Sequence, residues 1–187
     1  MSVLTDLARE CKGEGRDWRQ KNAIAGHCYI SDGACAQFCA VWIKDYKWQV
    51  DFSTDLTVLD DAQWIANKST VEDYLKAHGF VQLKLTKATA FWDKASTVGI
   101  LGIVKGGPGF YVLTLSDVKG QAKVATAASK VHSVAFIHMK DNFQFFDPNF
   151  GMAKFKTSEA LGEFFQKYAP RVLRGYAGAG YIEKYVG

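Results

Sequence analysis

Cys35 stands at the head of an apolar helical pattern, and His132 and Asp147 follow far downstream on segments patterned as two adjacent strands. A thiol is a useful nucleophile only as thiolate, and an ordinary cysteine is mostly protonated at neutral pH. A helix N-terminus and a nearby imidazole both favour the thiolate. A carboxylate beyond the imidazole would hold that ring in one orientation and one tautomer. The order Cys35, His132, Asp147 therefore contains the parts of a nucleophilic relay. Each residue alone has a duller reading: a core cysteine, a structural strand histidine (as for His27, His78 and His138), and a turn aspartate before Pro148.

The elements that must position these groups are legible to different degrees. From Gly33 to Trp48 the apolar residues fall at 35, 38, 39, 42, 43 and 46, steps of three and four that mark a helix. Asp32 is the expected N-cap, which places Cys35 in the first turn. Between the two cysteines of this helix, Cys35 is favoured as nucleophile over Cys39. Free backbone donors lie near the helix start, and Gly33, Ala34 and Ala36 leave room for a carbonyl. Its oxyanion could accept from the Cys35 backbone N–H.

Lys140-Asp141-Asn142 is turn material between two apolar runs, Val131–Met139 and Phe143–Asp147. If residue 138 pairs with 143, then 132 faces 149, and Asp147 lies diagonally from His132 on one face, roughly 7–8 Å away. A shift of one residue would put the two on opposite faces.

Other elements frame these. Helices are expected at 2–12, 60–67, 70–78 (with a Ser69/Glu72 capping box and Gly79 at its end) and 157–169. Strands are expected at 80–85, 110–115, 121–126 and 181–186, while 13–32 and 175–180 read as loop and 88–104 is ambiguous between helix and strand. Gly106-Gly107-Pro108-Gly109 is a turn and not a phosphate loop, since no Gly-Lys-Ser/Thr follows. Helices first and a mostly antiparallel sheet after them make an α+β fold, expected as one domain over residues 1–187.

Composition excludes several classes. With 48% hydrophobic and 22% charged residues the chain is an ordinary globular one. The net charge of +4 is spread without a basic run, so no nucleic-acid partner is expected. No apolar stretch approaches the ~18 residues of a membrane span, and the N-terminus lacks a signal-peptide pattern. Four cysteines crowded at 11, 28, 35 and 39 do not form a disulfide framework, which favours a reducing site of action. His27, Cys28, Cys35 and Cys39 make a conceivable zinc list but lack paired knuckles. No metal and no cofactor are expected, and a monomer is.

Gly33-Ala34-Cys35-Ala36-Gln37-Phe38-Cys39-Ala40-Val41-Trp42-Ile43 resembles the nucleophile helix of the YopT/AvrPphB family. Val131-His132-Ser133-Val134-Ala135-Phe136 is similar to that family's histidine strand, and Phe145-Phe146-Asp147-Pro148-Asn149-Phe150-Gly151 to its aspartate motif. The resemblance implies a papain-like fold, with a helical part and its nucleophile helix packed on the sheet. It also implies cysteine endopeptidase chemistry, with Cys35, His132 and Asp147 as the triad. A bacterial effector or toxin would follow, secreted without a classical signal peptide and cutting a protein substrate in the cytosol of a target cell. One position departs from the pattern. Papain-like enzymes carry a side-chain amide five or six residues before the nucleophile, where this chain has Ile30 and Tyr29, and Ser31 is the stand-in for the second oxyanion donor. The same triad would serve a deamidase, transglutaminase, acyltransferase or peptidoglycan amidase, and a silent binding module could retain it.

Overall fold

The structure, a computed structural model, describes residues 2–24, 34–88, 94–117, 131–176 and 178–187. Helices α1 (Val3–Glu10), α2 (Gln20–Ala23), α3 (Cys35–Trp48), α4 (Val58–Lys68), α5 (Val71–Ala77), α6 (Lys94–Lys105) and α7 (Ser158–Tyr168) accompany seven strands. These are β1 (Glu14–Asp17), β2 (Val81–Ala88), β3 (Gly109–Ser116), β4 (Val131–Met139), β5 (Asn142–Asp147), β6 (Gly151–Phe155) and β7 (Ala179–Val186). They form one antiparallel sheet in the order β1-β6-β5-β4-β3-β7-β2. The α+β class read from the sequence is the observed one.

The sheet separates two apolar layers, and strand alternation assigns residues to each. On β4, Val134 and Phe136 join Leu4, Tyr111, Phe145, Phe164 and Phe165 in one layer with α1, α6 and α7. Ala135 and Ile137 join Phe38, Trp42, Ile43, Val112 and Phe146 in the other, with α3, α4 and α5. The β4–β5 register is the expected one, with His138 opposite Phe143 and Ala135 opposite Phe146.

Several elements differ from the sequence reading. The segment 13–32 is not all loop: β1 pairs with β6 and α2 follows it. The N-cap of α3 is Ala34, not Asp32, and it makes no side-chain cap, so Cys35 is the first helical residue. The cap of α5 is Thr70, whose hydroxyl accepts from the Asp73 N–H, in place of the Ser69/Glu72 box. Residues 94–105 resolve as helix. Helix α7 ends at Tyr168, close to the expected 169, and a wider helical turn then runs Ala169–Leu173, followed by a tight turn over Arg174–Tyr176 and β7 from Ala179, where a connector was expected. The strand expected at 121–126 lies outside the described residues.

The β5–β6 turn gives the Asp147–Gly151 motif its physical reason. Asp147 C=O accepts from the Phe150 N–H at 3.0 Å, closing a turn with Pro148 at its second position. Gly151 takes φ +124°, and a Cβ there would fall 2.1 Å from the Arg16 carbonyl oxygen of β1. Only glycine allows that backbone approach.

Candidate active site

Proline decides where the thiol rests. Continued by two residues from Ala135–Phe146, the β4–β5 register would set Ser133 opposite Pro148, which has no N–H to give to the ladder. The Pro148 carbonyl turns instead to the Gln20 N–H at 2.7 Å. The released Ser133 N–H donates to Cys35 Sγ at 3.3 Å, and Sγ lies 3.9 Å from the Val131 carbonyl oxygen. The first residue of α3 thereby docks its sulfur on the β4 edge at the point where β5 turns away.

The imidazole arrives from the same strand. His132 Nε2 is 3.0 Å from Asp147 Oδ1, an ion pair whenever the ring is protonated. Asp147 is fully buried and richly held: Oδ1 also accepts from the Asn149 N–H at 2.8 Å, and Oδ2 accepts from the Tyr168 hydroxyl at 2.8 Å. Tyr176 stacks on the His132 ring with centroids 5.1 Å apart. Cys35 and His132 are each 2% exposed.

The electrostatics follow from these contacts. Burial works against ionising Cys35. The His132 ring that hydrogen-bonds it, the charge on that ring and the Ser133 N–H outweigh burial, while Asp147 pushes the other way, and the thiol ends below its ordinary value. Burial likewise works against protonated His132, but the charge and hydrogen bond of Asp147, with help from Cys35, hold the ring's proton to well above its usual range. Both shifts favour a thiolate–imidazolium pair. Cys39, one turn deeper, goes the other way: burial, with Cys35 and Asp147 close by, raises its thiol well above normal. Burial and the Asp147 carboxylate keep Tyr168 a protonated donor.

The expected residues Cys35, His132 and Asp147 are thus brought together. Ser31 lies outside the described residues, as do His27 and Cys28 of the conceivable zinc list. Among the described residues no group of three or more potential ligands could hold a metal. His138 is structural, its Nδ1 bonding the Val104 carbonyl at 2.8 Å. Among the described residues no helix is long and apolar enough to cross a membrane. A cavity of about 670 Å³ lies at the far end of α3, beside Tyr46, Lys47 and Val50, and takes no part in this constellation.

The sequence reading missed three polar partners. Tyr168 looked like one more core aromatic, with nothing local to reveal its hydroxyl bond 21 residues away. Gln20 sat in presumed loop. Asn149 alone carried a signal, since an Asp-Pro-Asn turn invites the second residue's N–H onto the aspartate.

Residues 115–180 match the model of the family Peptidase_C58, described as Yersinia/Haemophilus virulence surface antigen. That span holds His132 and Asp147 and not Cys35. Among solved structures, the Pseudomonas avirulence protein AvrPphB is similar at a TM-score of 0.59 and 14% identity, over 83% of this chain and 92% of that one. Together these findings support a YopT/AvrPphB-type family. PatoxP, a cysteine protease-like domain of the Photorhabdus asymbiotica toxin PaTox, is similar at a TM-score of 0.53 and 12% identity, over 97% of this chain and 57% of that one. At such identities the likeness to these structures is one of fold, and that fold is papain-like. No match was found among curated protein sequences. The comparisons thus give a family-model match over the histidine and aspartate motifs and a fold shared across most of the chain.

Proposed function

We propose that the protein is a cysteine endopeptidase in which Cys35 is the nucleophile, His132 the general base and acid, and Asp147 the orienting carboxylate. The observation that carries this reading is the Cys35 sulfur seated on the Ser133 N–H at 3.3 Å, beside a His132 ring that meets Asp147 at 3.0 Å. The Cys35 thiolate adds to a peptide carbonyl carbon, and the oxyanion accepts from the Cys35 backbone N–H at the start of α3. The carbon–nitrogen bond then breaks as His132 gives its proton to the leaving amine. Water, deprotonated by His132, attacks the thioester and returns the thiol and a carboxylic acid. The proposed setting is that of a bacterial effector or toxin, secreted and acting on protein inside a target cell.

The test is incubation of the full chain with a target-cell proteome, comparing wild type with Cys35→Ser and His132→Ala for new protein N-termini. New termini made by wild type alone are expected. A mass gain of about one dalton on glutamine side chains without new termini would replace cleavage with deamidation, which shares the same acyl-enzyme. No covalent change in any protein would overturn the enzyme reading.

A further inference from the structure

Asp147 holds one nitrogen of His132, and a second polar chain reaches the other. Asn149 Nδ2 lies 3.5 Å from His132 Nδ1, the nitrogen left to receive the Cys35 proton once Nε2 is committed to Asp147. The carboxamide of Asn149 is itself fixed. Its oxygen accepts from Gln20 Nε2 at 2.6 Å, and its backbone N–H donates to Asp147 Oδ1 at 2.8 Å. With the oxygen turned to Gln20, the amino group is turned to the ring. Gln20 is anchored in its turn by its own N–H on the Pro148 carbonyl. Among the described residues, the buried Gln20 Oε1 has no hydrogen-bond partner. Leaving a buried acceptor unmatched is unfavourable, and such a group calls for a reason. Here Gln20 is placed for its donor, which orients Asn149.

We propose that Asn149, oriented by Gln20, is a positioning residue that donates to His132 Nδ1 and so sets how tightly the ring holds the proton it takes from Cys35. An N–H aimed at Nδ1 stabilises the neutral ring, whose lone pair accepts it, and disfavours the imidazolium, whose own N–H would point at it. Asp147 pulls the ring toward its charged form and Asn149 restrains that pull. A relay needs both, because His132 must take the thiol proton and later release it to the leaving amine. The other groups facing the ring are the Cys35 sulfur from α3, the Tyr176 ring, and Tyr168 from α7 through Asp147.

This rests on the peptidase reading for its consequence but not for its test, since ring titration needs no substrate. The experiment is ring-carbon NMR of histidine-labelled full chain as a function of pH, the His132 signal being the one absent from His132→Gln. In Asn149→Ala the His132 titration is expected to move upward by about 0.4–1 pH unit. Gln20→Ala, which leaves the turn sequence intact, is expected to move it the same way by less. Asn149→Asp, which sets an anion beside the ring, is expected to move it furthest. A merely structural role would lower the melting temperature and leave the His132 midpoint in place. An unmoved or downward midpoint in Asn149→Ala and Gln20→Ala, with the remaining spectrum native, overturns the proposal. Absence of proteolysis with the upward shifts present would overturn the peptidase reading and keep this one.

Discussion

At the scale of single residues, Asp147 is a fully buried carboxylate held by three donors. It accepts from His132, the Asn149 backbone and the Tyr168 hydroxyl, and none of its surface meets water. A buried carboxylate that loses one donor keeps the full cost of its desolvation. Tyr168→Phe retains the ring against Phe145 and Phe164 and removes only the hydroxyl. Chemical denaturation is expected to show a loss of about 1–3 kcal/mol. A variant within about 0.5 kcal/mol of wild type would mean that Asp147 does not depend on this donor. The sequence made Cys35, His132 and Asp147 legible through order and spacing. It could not disclose Tyr168, because on α7 that residue shares a face with Leu161, Phe164 and Phe165 and reads as packing.

At the scale of elements, α3 carries the nucleophile at one end and a second ionic cluster toward the other. Lys44 Nζ lies 2.7 Å from Asp45 Oδ1, 2.9 Å from Asp61 Oδ2 and 3.3 Å from Asp55 Oδ2, tying α3 to α4 and to the loop before it. The approach to Asp45 is close but poorly directed, since neighbouring helix residues do not face one another, and neither oxygen of the fully buried Asp45 receives a hydrogen bond. Burial pushes the Asp45 carboxyl up to about 7, against the pull of Lys44 and with a push from Asp55. An unfolded aspartate releases its proton near 3.8. Between those two values the folded chain holds a proton the unfolded chain has lost. The contribution is therefore fully present below the lower value, shrinks as pH rises, and is gone once pH passes the upper one. Asp45→Asn removes that slope. Its stability relative to wild type is expected to rise by ~1 kcal/mol or more between about pH 5 and about pH 8. Parallel stability curves for the two proteins would contradict this.

Short elements were the hardest to read in advance. Strand β1 has four residues, Glu14 to Asp17, with almost no buried side chain, and it exists because its backbone completes β6. Its pairing is recorded in Gly151, a residue on another strand, whose missing Cβ admits the Arg16 carbonyl. No pattern of alternation can announce a strand held in that way. Helix α3 and the β4–β5 hairpin were legible because each buries one face of a long segment and so must keep a period.

At the scale of the whole molecule, a single antiparallel sheet with an apolar layer on each face brings residues from the two ends of the chain to one place. Cys35 comes from the layer of α3, whereas His132 and Asp147 have the strand parity of Val134 and Phe145, which face the layer of α7. They meet only at the sheet end, where Pro148 interrupts the β4–β5 ladder and the sulfur takes the vacated N–H. That meeting is tested most directly by ultraviolet difference absorbance of the thiolate, wild type minus Cys35→Ser, followed across pH and repeated in His132→Ala. The expected result is a Cys35 thiolate that forms below the ordinary cysteine range in wild type and only at higher pH in His132→Ala. A sulfur that ionises only near the ordinary cysteine value, alike in both proteins, would contradict the account.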